Sequence, residues 1–353
     1  MPNPRNVDPS KSVGVTLREG VIDWLLEPSN PPIRYLTLTQ LLRHRESDGA
    51  VREAKKEIPE SPWVRELMVK QIDDAYWDNP KSCYLPKYGA TVWYLQLLAE
   101  LGVTADRRIQ NACQRFLKQH TMADGGFTCG SPAYRDRFSE ECIAGRMVAV
   151  LVKFGYLEEP RVWDAVEWLL GRQMADGGWN CDYRHNPSHS SIYSTYQVLW
   201  GLSEIPSSKR TPSIKRAIGR GVEFMLVHRL FKSHRTLKTI KPKWLVFKFP
   251  PHVRYDILHS LRLLTDLGVT KDNRLDDALE AVESKKQPGG VWLLDAVPRS
   301  PNKKRSEELT IELEKEGLPS KWTTLTALTV LTRTGRVDPK MLNTKRFLSE
   351  TPK

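Results

Sequence analysis

The chain has 353 residues, 40% of them hydrophobic and 27% charged, a composition that is ordinary for a globular protein and excludes disorder over most of its length. Its formal net charge is +12, carried by an excess of Lys and Arg. No stretch approaches the roughly 18 uncharged residues that a membrane-spanning helix needs, and the start lacks the apolar core of a secretory signal, so we expect a cytoplasmic protein.

Apolar residues recur at three- and four-residue spacing along the chain, which predicts helices. The first helix of each predicted pair carries charges on one side, whereas the second is apolar over most of its surface, so we expect the second helices to lie inside. Six such pairs follow one another, at 21–27 and 33–42, 62–71 and 88–102, 107–120 and 141–156, 161–173 and 191–202, within 212–268, and at 275–292 and 319–335.

A short motif repeats within this series. MADGGF at 122–127 recurs as MADGGW at 174–179, and the two aspartates, Asp124 and Asp176, are 52 residues apart. Each copy follows a charged amphipathic helix, where a glycine readily takes the left-handed conformation that ends a helix. Asp-Gly-Gly therefore predicts a turn in the first place, and a catalytic role for its aspartate is secondary.

The second copy, Gln173 to Trp179, matches the Gln-x-x-Asp-Gly-Gly-Trp repeat of squalene cyclases and protein prenyltransferase β subunits. Over residues 17–337 the chain resembles this terpenoid cyclase and prenyltransferase superfamily. The resemblance implies an all-α fold with one domain, an α/α toroid of six inner and six outer helices around a central cavity. Residues 1–16 would then be a polar N-terminal segment and 338–353 a C-terminal tail.

The acidic motif that squalene-type cyclases share, Asp-x-Asp-Asp, does not occur in this sequence. In that motif neighbouring carboxylates keep one aspartic acid protonated, so that it can protonate an alkene. The pair Asp73 and Asp74 and the pair Asp276 and Asp277 stand without a third carboxylate at the required spacing. Cyclisation that begins with protonation is therefore disfavoured.

Prenyltransferases of the resembled superfamily hold zinc with Asp-x-Cys on one inner helix and His on the next. Here Glu140 and Cys142 stand where Asp-x-Cys would, but Ser194 takes the place of the expected His. Cys181 and His189, on the neighbouring loop, are the nearest substitutes. We therefore predict a zinc site whose ligands are Glu140, Cys142, Cys181 and His189, with Cys129 as the reserve ligand. The alternative is that the cysteines are small buried hydrophobic residues.

Cations precede several of the predicted inner helices, where they would meet at one end of the toroid. Arginine side chains and helix N-termini together suit phosphate oxygens, so these cations predict a site for an anionic ligand. One of them, Arg137, matches a lysine that the prenyltransferase pattern places near the diphosphate. The candidate ligand-binding residues are Lys87, Arg135, Arg137, Arg184 and Arg254.

The positive charge of the chain is concentrated in the fifth hairpin. Residues 209–254 contain 13 Lys and Arg against a single acidic residue, Glu223. We expect 229–254, here called the basic segment, to be an insertion held on the body by its aromatic residues Trp244, Phe247 and Phe249. Its composition suits an anionic ligand, an anionic membrane surface or nucleic acid, and a solvated basic loop is the alternative.

Together these features favour a zinc-assisted enzyme, prenyltransferase-like or terpene cyclase-like, that acts on an isoprenoid or allylic-diphosphate-like substrate in the central cavity. The sequence shows no partner subunit, which favours a small-molecule substrate over a protein. A non-catalytic toroid that binds a lipid or a peptide is the first alternative, with peripheral membrane contact through the basic segment. Nucleic-acid binding through the same segment is the second, although no base-reading motif supports it.

Overall fold

The computed structural model describes residues 20–130, 138–182, 186–252 and 255–342, and this part of the chain is mostly helical. One short antiparallel ribbon, in which Gln71 pairs with Trp77, is its only sheet. In chain order the helices and strands are α1 Val21–Leu25, α2 Pro31–Leu36, α3 Gly49–Glu57, α4 Pro62–Val69, β1 Gln71–Ile72, β2 Tyr76–Trp77, α5 Thr91–Glu100, α6 Arg107–His120, α7 Glu141–Lys153, α8 Pro160–Gly171, α9 Ile192–Glu204, α10 Pro212–Val227, α11 Ile257–Asp266, α12 Asp276–Ser284, α13 Ser306–Leu309 and α14 Lys321–Arg333.

Two classes of helix differ in burial, as the sequence predicts. Helices α5, α7, α9, α11 and α14 are buried along most of their length, whereas α6, α8, α10 and α12 bury one face and expose the other. The buried helices contact one another in chain order, α5 with α7, α7 with α9, α9 with α11, and α11 with α14. These helices form the inner layer, and the amphipathic helices cover it.

The pairing of the layers differs from the pairs expected from the sequence. Each outer helix packs most closely on the inner helix that precedes it, α6 on α5, α8 on α7, α10 on α9 and α12 on α11. Short connections join these pairs and place the two helices side by side. The longer loops that carry the Asp-Gly-Gly turns lead instead from an outer helix to the next inner one.

Three tryptophans fix those longer loops in the same way. The indole N–H of Trp77, Trp179 and Trp292 donates to the carbonyl ten residues earlier, in the last turn of an outer helix, at 2.7–2.9 Å. The backbone N–H of each tryptophan donates to a threonine hydroxyl near the start of the next inner helix, at 2.9–3.2 Å, and these threonines are Thr91, Thr195 and Thr324. Each buried indole thus ties the end of an outer helix to the start of an inner one.

The Asp-Gly-Gly turn also holds the loop between an outer helix and the next inner helix. Gly177 has φ of +96°, a left-handed conformation that glycine adopts without strain. Asp176 accepts hydrogen bonds from the backbone N–H of Ser190 at 2.7 Å and from its hydroxyl. Asp124 likewise accepts from the Ser139 hydroxyl in the earlier copy. The aspartate therefore anchors the loop in front of the inner helix, which is a structural role.

Helices α7 and α9 approach more closely than side chains would allow. A Cβ atom at Gly145 would lie 2.5 Å from the carbonyl oxygen of Gln197, and one at Gly201 would collide with the carbonyl oxygen of Gly145. The two backbones are therefore in direct contact where the helices cross.

The inner layer also contains an ion pair between distant helices. Glu100 at the end of α5 pairs with Arg262 of α11, and both side chains are largely buried. Burial alone would raise the pKa of Glu100, but the Arg262 guanidinium outweighs it and lowers the pKa, so the carboxylate is charged. The pair satisfies both charges inside the core.

We expect Trp179→Phe to lower the free energy of unfolding by about 2 kcal/mol, because the Leu169 carbonyl loses its buried donor and the smaller ring leaves a void. Chemical denaturation followed by circular dichroism measures the change. Trp63→Phe is the matched control, since the Trp63 indole has no hydrogen-bond partner within the described residues, and it should cost clearly less. Equal losses for the two variants would contradict the anchoring role of Trp179.

Candidate functional site

A cavity of about 1280 Å³ opens beside the start of α9. Its walls come from the loop before α9, the end of α10 and the basic segment, and this volume exceeds that of many small-molecule sites. Its cationic and imidazole lining consists of Lys87, Arg235, Lys241, Lys243, Lys248, His189, His228 and His234. Its aromatic lining consists of Tyr88, Tyr193, Phe224, Trp244 and Tyr255.

Three of the cations stand exposed at the mouth of the cavity. Within the described residues, Arg235, Lys241 and Lys243 form no ion pair with a carboxylate. The Lys241 ammonium lies 5.4 Å from the centroid of the Trp244 ring. Lys248 is different, because it is buried and donates to the carbonyls of Lys243 and Val246. The mouth thus carries positive charge that is not neutralised locally by the described residues.

The aromatic wall is built from rings that pack on one another. Tyr255 lies edge-on to Trp244, with centroids 5.1 Å apart, and its hydroxyl donates to the carbonyl of Leu230 at 2.6 Å. Phe224 packs on His228 at 4.7 Å. As expected from the sequence, Trp244, Phe247 and Phe249 are buried, so the basic segment is fixed to the body by its aromatic residues.

Two carboxylates line the cavity, and both are already engaged. Burial would raise the pKa of Asp176, but the hydrogen bonds from Ser190 outweigh it, and the pKa falls below its usual value. Glu223 pairs with Arg274 at 2.7 Å. Both carboxylates therefore already have hydrogen-bond or ion-pair partners, and the described lining contains no further carboxyl group that could protonate an alkene.

The predicted ligand-binding cations are only partly described. Lys87 lies on the cavity wall, with its ammonium 5.8 Å from the centroid of the Tyr88 ring. Arg135, Arg137, Arg184 and Arg254 lie outside the described residues. Sequence analysis did not name Arg235, Lys241 or Lys243 individually. The concentration of cations in the basic segment was the feature that indicated them.

The predicted zinc ligands make separate contacts in the described structure. Cys142 and Cys181 are hydrogen-bonded to each other, while the Glu140 carboxylate accepts from the backbone N–H of Cys129 at 2.9 Å. His189 lies on the cavity wall, where its Nδ1 is 3.4 Å from the Ser188 hydroxyl. In the part of the chain that the structure describes, no three His, Cys, Asp or Glu side chains are placed to hold a metal ion. The zinc site therefore stays a prediction.

The two thiols of the pair differ in acidity. The hydrogen bond with Cys181 and burial raise the pKa of the Cys142 thiol well above its usual value. The same hydrogen bond lowers the pKa of Cys181, and Ser194 adds a second donor, with its hydroxyl 3.2 Å from the Cys181 sulfur. Ser194, at the position of the expected His, therefore donates to the Cys181 thiol. Of the two, Cys181 ionises first.

A buried polar group behind the cavity was not predicted. Arg146 of α7 is 0% exposed, and it donates to the Tyr193 hydroxyl on the cavity wall at 2.8 Å. His252 is 3% exposed and stacks on Tyr88, also on the cavity wall, with centroids 5.0 Å apart. The available signal was a single arginine in the middle of an otherwise apolar helix.

No protein-family model matches the chain, and no curated protein matches it in sequence. Among solved structures, a protein from Actinoplanes is 16% identical, with 88% of this chain and 90% of that chain covered and a TM-score of 0.42. The type II terpene cyclase MstE from Scytonema, without ligand, is 17% identical, with 87% and 88% covered and a TM-score of 0.40. The ent-copalyl diphosphate synthase from Streptomyces platensis is 14% identical, with 87% of this chain and 50% of that chain covered and a TM-score of 0.43. The chain thus spans half of that protein.

These structures include terpenoid cyclases, the group that the Asp-Gly-Gly-Trp repeat resembles. At such identities and TM-scores the likeness carries no conclusion about fold, residue role or activity. Within the described residues, no helix combines the length and the apolar character needed to cross a bilayer.

Iodoacetamide should modify Cys181 first and Cys113 last in the folded protein at about pH 8, with rates that differ roughly tenfold or more. Cys181 is partly exposed and has a lowered pKa, so more of it is thiolate, whereas burial raises the pKa of Cys113. Peptide mass mapping over time gives the order. Ser194→Ala should slow the modification of Cys181, and a Cys113 that reacts as fast as Cys181 would contradict this account.

Proposed function

We propose that this chain is an enzyme that binds an isoprenoid-like substrate with an anionic head group, of the allylic diphosphate class, in the cavity beside α9. The observation that carries the proposal is one cavity in which exposed cations at the mouth adjoin an aromatic wall. Such a combination suits a molecule with a charged end and a long apolar end.

We also propose that the inner helices close into the α/α toroid that the sequence resemblance implies. Contacts in chain order from α5 to α14 continue from α14 to the turn Thr37–Leu41, which follows α2. Tyr35 of α2 in turn lies against Gly102, where a Cβ atom would be 3.0 Å from its ring. These contacts support a closed ring of six inner helices.

The lining residues are suited to the departure of a diphosphate. When the allylic carbon–oxygen bond breaks, the electron pair leaves with the diphosphate, and Arg235, Lys241 and Lys243 would stabilise the growing negative charge. The positive charge left on the isoprenoid would face the rings of Trp244 and Tyr255. Burial is the main cause that lowers the pKa of His228, which leaves it neutral and able to accept a proton.

Zinc assistance is not needed for these steps, and it is tested separately. The sequence predicts about one zinc per chain if Glu140, Cys142, Cys181 and His189 bind a metal. Elemental analysis of protein purified without added zinc measures the content. A stoichiometric metal that is lost in Cys142→Ala would support the prediction, and a metal-free native protein would remove it.

A non-catalytic module that binds a lipid or a peptide is the second candidate. It is favoured by the two lining carboxylates, since both are engaged and neither is a free acid. Binding without turnover would identify this candidate. Retention of nucleic acid by the basic segment, abolished by salt, would identify the nucleic-acid alternative instead.

Substrate binding tests the proposal directly. We expect farnesyl or geranylgeranyl diphosphate to quench tryptophan fluorescence through Trp244, and the double variant Lys241→Ala with Lys243→Ala to weaken binding by about tenfold or more. Lys56→Ala with Lys118→Ala removes the same charge from exposed positions outside the cavity lining and should leave binding unchanged. Release of diphosphate and product analysis then separate an enzyme from a binding module. Equal weakening in both double variants would contradict the proposed site.

Peripheral membrane contact has a specific surface. In the basic segment Leu237 is 49% exposed and Ile240 is 39% exposed, among the cations Arg235, Lys238 and Lys241. Apolar side chains surrounded by cations suit an anionic membrane surface.

We expect the protein to float with phosphatidylcholine vesicles that contain phosphatidylserine, and not with phosphatidylcholine alone, at low salt. Leu237→Ser with Ile240→Ser should reduce flotation several-fold because the apolar contact is lost. Val69→Ser with Leu318→Ser replaces apolar residues that are more exposed but lie outside the basic segment, and serves as the control. No flotation of the unchanged protein would leave the basic segment with a role at the cavity alone.

A further inference from the structure

Arg146 is a buried cation that pairs with no anion among the described residues. It lies in the middle of α7 and is 0% exposed. Its guanidinium donates to the Tyr193 hydroxyl at 2.8 Å and to the Gln197 side-chain oxygen at 3.4 Å, and it lies 4.6 Å from the centroid of the Trp93 ring. No carboxylate of the described residues pairs with it, and its Nη1 has no hydrogen-bond partner there.

The surrounding acidic groups do not supply the missing charge. Glu140 is engaged by the backbone N–H of Cys129, and the raised pKa of Cys142 keeps that thiol neutral. Glu100, the buried carboxylate of α5, belongs to Arg262. An uncompensated charge inside a protein is costly, and a face-on aromatic ring offsets only a part of that cost.

His252 adds a second unsatisfied group beside Arg146. Both of its ring nitrogens are buried and have no hydrogen-bond partner among the described residues. Burial, with the charge of Arg146, lowers the pKa of His252 to about 3, so the ring is neutral and keeps one N–H to donate. Its ring lies 5.6 Å from Trp93, the same ring that Arg146 faces. Two buried donors that lack acceptors in the described chain therefore flank one indole.

Tyr88 and Tyr193 lie between these donors and the cavity. Both line the cavity, and each contacts one member of the group behind it, Tyr88 by stacking on His252 and Tyr193 through its hydroxyl with Arg146. Rotation of these two rings would connect the cavity with the buried donors. Such side-chain movements are common on binding.

We propose that Arg146 and His252 form a buried oxyanion-binding site that is reached from the cavity past Tyr88 and Tyr193. The ligand is a carboxylate or a phosphate, either as a small free anion or as the acidic group of a larger molecule. It supplies the counter-charge that Arg146 lacks and accepts from Nη1 and from the His252 N–H. The site is separate from the cations at the mouth and does not rest on the proposed substrate.

Thermal unfolding in different anions tests the site. Inorganic phosphate or acetate should raise the melting temperature of the unchanged protein by roughly 2–4 °C above that in chloride at equal ionic strength. Arg146→Met should abolish this rise while the variant keeps or gains stability in chloride, because an apolar side chain replaces an unpaired buried charge. A rise in phosphate alone or in acetate alone assigns the class of anion.

Arg262→Met is the matched control. It removes another arginine of the inner layer, largely buried but with a carboxylate partner, so it should lower the melting temperature and keep the anion response. His252→Phe retains the ring stack on Tyr88 and should weaken the response, which tests the site even if Arg146→Met fails to fold. An anion response equal in unchanged protein, Arg146→Met and His252→Phe, or no response in the unchanged protein, would overturn the proposal. Binding of allylic diphosphate by Arg146→Met would leave the proposed function standing in that event.

Discussion

The hydrogen bonds of Trp77, Trp179 and Trp292 hold the ends of outer helices to the starts of inner ones, and the positions of the connecting loops depend on them. Each indole uses its ring N–H on the helix behind and its backbone N–H on the helix ahead. Because the ring itself is buried, the two bonds form out of contact with water and are costly to break. In the fourth case Phe127 keeps the buried ring but has no indole donor, and its carbonyl accepts from the backbone N–H of Glu140 at 2.9 Å, which holds the loop there.

The buried charges of the inner layer are of two kinds, those with a partner and one without a partner among the described residues. Glu100 and Arg262 neutralise each other, and Asp256 is held by His259, whose Nδ1 lies 2.9 Å from the carboxylate, so each of these buried carboxylates has a partner. Arg146 has no such partner among the described residues, and the polar groups that it contacts are neutral. A protein that keeps an unpaired charge at this depth sacrifices stability there, which is the usual pattern at sites that bind something.

The helices and their layers were predictable from the sequence because the spacing of apolar residues within one segment indicates both the helix and the face that it buries. The Asp-Gly-Gly turn was predictable as a turn, since Gly177 takes a left-handed φ, but it lies beyond the end of α8 rather than at the helix terminus. The zinc site could not be checked in this way, because the distance between Cys142 and His189 depends on the paths of two loops. Those paths are set by long-range contacts such as the one between Trp179 and Thr195.

Arg146 was missed for a related reason. One cation in an apolar helix normally lies where its long side chain can reach water, and only the packing of α7 between α5 and α9 shows that it does not. Likewise, the composition of the basic segment indicated an anionic partner but not which cations face a cavity. The pairing of each outer helix with the preceding inner helix also needed the contacts, because sequence order allows either grouping.

The glycine contact between α7 and α9 has a consequence for how the cavity can change shape. With Gly145 and Gly201 in backbone contact, the two helices have little freedom to slide or to separate, so the wall that begins at Ile192 is a fixed template. The basic segment on the cavity wall is fixed by its aromatic residues, but its exposed cations Arg235, Lys241 and Lys243 form no ion pair among the described residues. The rigid wall at α9 would then limit the length and width of a ligand. The exposed cations on the other wall would adapt to its charged group.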